Sequence, residues 1–152
     1  MTQKQLIALA AGGSAALLLG AFAFQHLGGM APCKLCIWQR YPHAVAVALG
    51  AAALIVPLPA LLALGALAAL ATAGVGFYHV GVEQGWWEGP TSCTAGSVSD
   101  MDAGALFDQI MAAPLIRCDD IAWQLAGLSM AGWNIVISLG LAGIWLAALR
   151  SN

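Results

Sequence analysis

Four long apolar stretches constrain this chain more than any other feature. A membrane-spanning helix needs about 20 mostly apolar residues to cross a hydrocarbon core of roughly 30 Å. The first stretch, Leu6 to Phe24, has Ser14 as its only polar side chain. The second runs from about Ile37 to Val56 and is wholly apolar from Ala44 onward. The third runs from Pro59 to Val82 and the fourth from about Gly127 to Leu149. Composition agrees: of 152 residues 61% are hydrophobic and 8% charged, against about 45–50% and 25% in a soluble domain. The net charge of −2 gives no basic surface for nucleic acid. These features predict an all-α integral membrane four-helix bundle, up-down-up-down, with residues 1–152 forming one membrane domain. Small residues at close spacing let membrane helices approach, and Ala46/Gly50, Gly65/Ala69 and Ala73/Phe77 supply them.

Lys4 and the Ala21-Phe22-Ala23 stretch resemble parts of a cleaved signal. A signal's apolar region is typically about 7–15 residues, and this one is longer, so an uncleaved span is expected. Four spans put both termini on one side. The loops at about 25–36 and 83–126 then share the other side, and all four cysteines lie in them: Cys33 and Cys36 in the first, Cys93 and Cys118 in the second. Lys4 and Arg150 on one side balance Lys34, Arg117 and Arg40 on the other, so the positive-inside rule gives no orientation. Paired cysteines persist in oxidising compartments, which places the cysteine side outside the cytoplasm. Trp86, Trp87 and Trp123 fit an interfacial aromatic belt there. Leu106, Phe107, Ile110 and Met111, flanked by Asp102 and Asp108, predict a short amphipathic helix on the membrane surface.

Cys33-Lys34-Leu35-Cys36 is a C-x-x-C motif at the mouth of a helix. Helix N-termini favour a thiolate, and the thiolate is the reactive form in disulfide exchange. As a staple the pair contributes little. The chain-entropy treatment gives about 1.9 kcal/mol for so short a loop, against about 3.5 kcal/mol for one from Cys93 to Cys118. Structural zinc wants two short-spaced ligand pairs, which Cys93 and Cys118 do not make, so no metal is expected. Four cysteines allow three pairings, and spacing does not choose among them. Two pairs on one membrane face point to a relay, from a soluble partner into the membrane. The chain has no dinucleotide fingerprint and no haem-attachment motif. A lipid-soluble quinone is the remaining electron acceptor.

Ionisable residues inside spans are functional candidates. Arg40 follows Cys36 by four positions and Cys33 by seven, so all three share a helical face. His79 lies at a matching depth in the third span, and Gln25 and His26 end the first near that level. These four are the expected quinone-binding groups. His43 reads as structural, and Glu83, Glu88, Asp100, Asp119 and Asp120 as solvated loop charges.

Taken together, these motifs resemble the DsbB family of quinone-dependent membrane disulfide oxidants. The matching pieces are Phe24-Gln25-His26, Pro32-Cys33-Lys34-Leu35-Cys36-Ile37-Trp38-Gln39-Arg40, Tyr78-His79, the Cys93/Cys118 pair, and Gly127-Leu128-Ser129-Met130 with Trp133. The resemblance implies a multi-pass protein of the bacterial inner membrane, both termini cytoplasmic and the cysteine loops periplasmic. It implies reoxidation of a periplasmic DsbA-like thioredoxin-fold protein. Cys93 would form the mixed disulfide with that partner and Cys118 would resolve it. Electrons would pass to Cys33–Cys36, with Cys36 reacting with the quinone, ubiquinone or alternatively menaquinone, drawn from the membrane pool. Arg40 matches the family's arginine near the quinone, and His79 corresponds to a site residue in the third span. Some members carry Glu just before that arginine, where this chain has Gln39. Two alternatives predict other outcomes. An enzyme resembling vitamin K epoxide reductase would place its C-x-x-C in the last span. A non-enzymatic four-span protein would use its cysteines only as structural disulfides.

Overall fold

A computed structural model describes residues 1–90, 104, 107, 108, 111 and 116–151. Four long helices dominate it: α1 (Gln3–His26), α2 (Lys34–Ile55), α3 (Pro59–Glu83) and α4 (Met130–Arg150). Each start is set by local chemistry. Thr2 caps α1 in a reciprocal box with Gln5. Cys33 caps α2, its sulfur accepting the Cys36 N–H at 3.2 Å. Pro59 opens α3 where a missing N–H costs nothing. Ser129 caps α4 by accepting from the Gly132 N–H. Pro42 lies inside α2 and removes the helical donor to the Trp38 carbonyl.

α1, α3 and α4 are long and apolar enough to cross a membrane, with mean hydropathies of 2.0, 2.0 and 1.7. The stretch expected as the second span falls on α2, whose first turns carry Lys34, Gln39, Arg40 and His43. Each helix packs on the next, and α4 packs back on α1. The start of α1 lies beside the end of α4, where Gln3 Nε2 donates to the Ala148 carbonyl at 3.1 Å. Leu106 and Ile110 of the expected amphipathic helix lie outside the described residues, as does Cys93.

A two-stranded hairpin precedes α4, β1 (Gln124–Leu125) against β2 (Leu128–Ser129), antiparallel. Ala126 and Gly127 make its turn with φ of 52° and 80°, the two positive values of a type I′ turn. The fourth apolar stretch therefore becomes helical at Met130 rather than near Gly127.

One core cluster fills the end of the bundle that holds Ile7, Leu62 and Trp145. Trp145 is fully buried and lies against Gly65, where a Cβ would come within 2.7 Å of two indole carbons. Gly65, the first residue of the expected Gly65/Ala69 pair, is thus the slot for a tryptophan of α4. Gly65→Val is expected to destabilise the bundle by about 1–3 kcal/mol, as overpacking does. Gly12→Ala, with nothing within 4 Å of its added methyl, should leave the thermal midpoint in detergent unchanged or raised. Equal midpoints for the two variants would refute the slot.

A polar seam crosses the bundle toward its other end. Thr72 donates to the Gln39 carbonyl at 3.0 Å. Asn134 donates to Thr72 Oγ1 at 3.1 Å and lies 2.9 Å from His43 Nε2. Ser138 donates to Asn134 Oδ1 at 3.3 Å. The seam ties α2, α3 and α4 together just beneath the C-x-x-C turn.

Candidate redox site

The capping role of Cys33 puts its sulfur over the first turn of α2, and Cys36 follows one turn on. The two sulfurs are 2.7 Å apart, and both residues are free thiols. Cys33 is buried. Its thiol is held well above the ordinary cysteine value, first by its hydrogen bond with Cys36 and then by burial. In this pair Cys33 keeps the proton and Cys36 receives its hydrogen bond. Cys118 is fully buried, disulfide-bonded, and clusters with Cys33, Leu35 and Val82. The C-x-x-C turn and the Cys118 segment are therefore in direct apolar contact.

His79 of α3 stands between them. Its Nε2 is 3.6 Å from Cys33 Sγ, 3.2 Å from the Cys118 carbonyl oxygen and 3.8 Å from Glu83 Oε1. Its Nδ1 is 2.9 Å from Gln39 Nε2. Glu83 departs from the expected solvated loop charge. It is the last residue of α3, its side chain is 5% exposed, and it accepts from Ser129 Oγ at 2.5 Å. The hairpin brings Ser129 over the end of α3 and so encloses the carboxylate. A buried acidic side chain thus lies at the edge of a span, where the sequence reading placed none.

Arg40 points toward α1. Its Nη1 donates to Gln25 Oε1 at 2.6 Å and its Nη2 to the Ala21 carbonyl at 3.5 Å. The guanidinium sits 5.1 Å from the centre of the Phe22 ring. His26 is exposed and stacks on Phe22 with ring centres 6.3 Å apart, and it lines neither cavity at the thiols. Trp87 folds back to donate to the Tyr78 carbonyl at 2.8 Å and stacks on Tyr78, closing the outer side of α3.

Two cavities meet at the thiols. One, of about 390 Å³, lies between α1, α2 and α4 and is walled by apolar groups such as Leu17, Phe24 and Ile137. Cys36, Gln39, Arg40, His43, His79 and Asn134 are among its polar lining. The other, of about 250 Å³, is lined by Cys33, Cys36, His79, Glu83, Arg117 and Asp120 and leads toward the charged Cys118 segment. There Arg117 pairs with Asp119 through Nε at 3.0 Å. That hydrogen bond holds the Asp119 carboxyl below the usual carboxylate range.

The larger cavity has the size and lining of a small-molecule site. Small-molecule sites are typically about 300–1,000 Å³ of mostly apolar wall with a few convergent polar groups. Here those groups are a thiol, a guanidinium and an imidazole. The structure thus brings Cys33, Cys36, His79 and the Cys118 backbone together, puts Arg40 on the cavity wall and makes Gln25 its hydrogen-bond anchor behind that wall. It leaves His26 outside. Sequence reasoning missed Glu83, the Gln39 amide and the Thr72–Asn134 seam. Each is a lone polar residue whose partner lies on another element, and no local pattern marks it.

Comparison with known proteins agrees with these observations. The profile of the family described as disulfide bond formation protein DsbB matches residues 3–148. A disulfide bond formation protein B of Verminephrobacter eiseniae is 33% identical over 99% of this chain and 88% of its own length. One of Methylococcus capsulatus is 34% identical over 87% of this chain and 85% of its own. One of Pasteurella multocida is 32% identical over 82% and 74%. No solved structure matches the chain at a significant level. With three helices able to span a bilayer and a free C-x-x-C pair at the mouth of the helix beside them, this chain is a multi-pass membrane protein that belongs to the DsbB family of disulfide bond formation proteins.

Proposed function

We propose that the chain is a membrane thiol:quinone oxidoreductase that reoxidises a periplasmic DsbA-like thioredoxin-fold protein. The observation that carries this reading is the position of the free Cys33–Cys36 pair. It stands between an apolar cavity that fits a quinone and the segment bearing the disulfide-bonded Cys118. In this reading α2 is the second of four spans crossing up-down-up-down. Both termini are cytoplasmic, and both cysteine loops face the periplasm of the inner membrane. Cys118 pairs with Cys93 in the resting protein.

The exchange steps balance in thiols and disulfides. The reduced partner's thiolate attacks the Cys93–Cys118 disulfide at Cys93, and Cys118 leaves as a thiolate. The partner's second thiol displaces Cys93, in place of the resolving role that the resemblance gives Cys118, because return of Cys118 would only re-form the starting disulfide. The partner leaves oxidised and the Cys93/Cys118 pair stays reduced. That pair reduces a Cys33–Cys36 disulfide in the same way. A quinone bound in the larger cavity supplies the acceptor for two electrons and two protons. The chain's own residues prepare the donor. Cys33 keeps its proton and hydrogen-bonds Cys36, the helix N-terminus favours negative charge on Cys36, and Arg40 adds a fixed cation on the cavity wall. Gln25 and the Phe22 face hold that guanidinium in place.

The test combines the purified chain in detergent, a reduced DsbA-like partner and a soluble ubiquinone analogue. One mole of quinone should be reduced per mole of partner disulfide formed. Absence of turnover with both ubiquinone and menaquinone analogues, from protein with intact helical circular dichroism, would overturn the reading. It would leave a bundle whose cysteines are only structural.

A further inference from the structure

We propose that Gln39 is a positioning residue that locks His79 in the Nε2–H tautomer, so that the ring donates to the Cys118 carbonyl and holds the Cys118 segment beside Cys33. Two hydrogen bonds at opposite ends of the ring carry this assignment independently. At one end, the Cys118 carbonyl oxygen 3.2 Å from Nε2 can only accept, so Nε2 must carry the hydrogen. At the other, Gln39 Nε2 lies 2.9 Å from Nδ1 and also 3.3 Å from the Leu35 carbonyl oxygen. The Leu35 carbonyl fixes which way the amide faces. Turning it over would set the amide oxygen against a carbonyl oxygen, whereas the NH₂ as placed donates to both acceptors. Nδ1 therefore receives a hydrogen bond and bears no hydrogen.

The result is a directed chain of donors across three elements. The Gln39 amide donates both to the Leu35 carbonyl within α2 and to Nδ1 of His79 on α3. Nε2–H of His79 in turn donates to the Cys118 carbonyl. Gln39 is buried, and Thr72 grips its own carbonyl, so the amide is anchored by backbone as well as by side chain. The ring also turns an N–H toward Cys33 Sγ at 3.6 Å, which offers that sulfur a hydrogen-bond donor and not a base. Cys33, Cys36 and His79 place their ligand atoms within 4.8 Å of one another, yet a metal would need the lone pair at Nε2. In metal sites the other ring nitrogen donates its hydrogen to an acceptor, and here it faces a donor. The lock keeps the site in its thiol chemistry.

The tautomer assignment stands on this geometry alone. Its part in exchange between the two cysteine pairs rests on the proposed oxidoreductase reading. The experiment separates the two, because its first readout needs neither quinone nor partner. Full-length protein labelled with ¹⁵N-histidine is examined by NMR at about pH 8, above the ordinary imidazole value of ~6.5, with the His79 signals assigned by their loss in His79→Gln. Wild type should show a hydrogen on Nε2 and a bare Nδ1. Gln39→Met, which keeps the volume and removes the amide, should show the Nδ1–H form appearing. Exchange between the two cysteine pairs should slow roughly two- to tenfold, the effect of one hydrogen bond. A wild-type spectrum with the hydrogen on Nδ1 would overturn the assignment even if the variant fails to fold. An unchanged tautomer in Gln39→Met would overturn the role of Gln39. A shifted tautomer with unchanged exchange would overturn the coupling to Cys118.

Discussion

Cys36→Ser is expected to abolish quinone reduction while leaving the protein folded and able to oxidise its partner once. Serine cannot form or accept a disulfide, so the inner pair loses its redox couple outright. The fold should survive because the helix start does not depend on the Cys36 sulfur. Cys33 caps α2 through its own sulfur, and what Cys36 contributes to the cap is its backbone N–H, which serine retains. Cys118 sits in a disulfide, so the outer pair is still charged with one oxidising equivalent. Stopped-flow mixing with reduced partner should therefore show one equivalent oxidised and then nothing, with steady quinone reduction at background. Cys33→Ser should behave alike in turnover, and because serine is among the favoured helix caps its thermal midpoint should not fall. Sustained turnover by Cys36→Ser would remove this residue from the electron path and leave the cavity beside it without a donor.

The contrast between these cysteines and Glu83 shows what the sequence makes legible. The C-x-x-C spacing, its place before an apolar stretch and the shared face with Arg40 are all local, and local pattern is what helix periodicity reports. The apolar stretches are legible for the same reason, to within the few residues that Ser129 and the hairpin take from the start of α4. Glu83 is one residue past an apolar run, where a carboxylate is ordinarily solvated. Its burial depends on Ser129, 46 positions on, carried there by a turn at Ala126-Gly127 that lacks the usual Asn-Gly or Asp-Gly signature. Gln39 illustrates the other limit. In the sequence it stands out only as a departure from a family pattern. Its contacts, the Leu35 carbonyl one turn back and His79 on α3, give the amide a task that a carboxylate could not perform in the same way. Trp145 likewise reads as one more apolar residue of α4 until Gly65 is seen to leave room for it.

Arg40→Met is expected to raise the KM for a quinone analogue by about ten- to a hundredfold, the range for losing a hydrogen bond from a charged donor. The guanidinium lines the larger cavity, and Gln25, the Ala21 carbonyl and the Phe22 ring fix its plane. Methionine keeps most of the apolar stem and removes the charge, so the loss reports the head group rather than packing. In the proposed relay, exchange between the outer and inner cysteine pairs would take place where Cys33 packs against the Cys118 segment. It should proceed at the wild-type rate in a single-turnover experiment without quinone. Arg40→Lys should recover little of the affinity. One ammonium cannot reach both the Gln25 carboxamide and the Ala21 carbonyl while lying flat on Phe22, and Lys is a point charge where Arg is a planar fork. Gln25→Leu should then raise KM by a smaller factor than Arg40→Met, since it removes the anchor and leaves the cation. If Arg40→Met leaves KM unchanged but slows exchange between the cysteine pairs, the arginine acts on the thiols and not on the ligand in the cavity. The larger cavity would then have to bind its quinone through the rest of its lining, Cys36, Gln39, His43 and Asn134 among the polar groups, and through apolar contact.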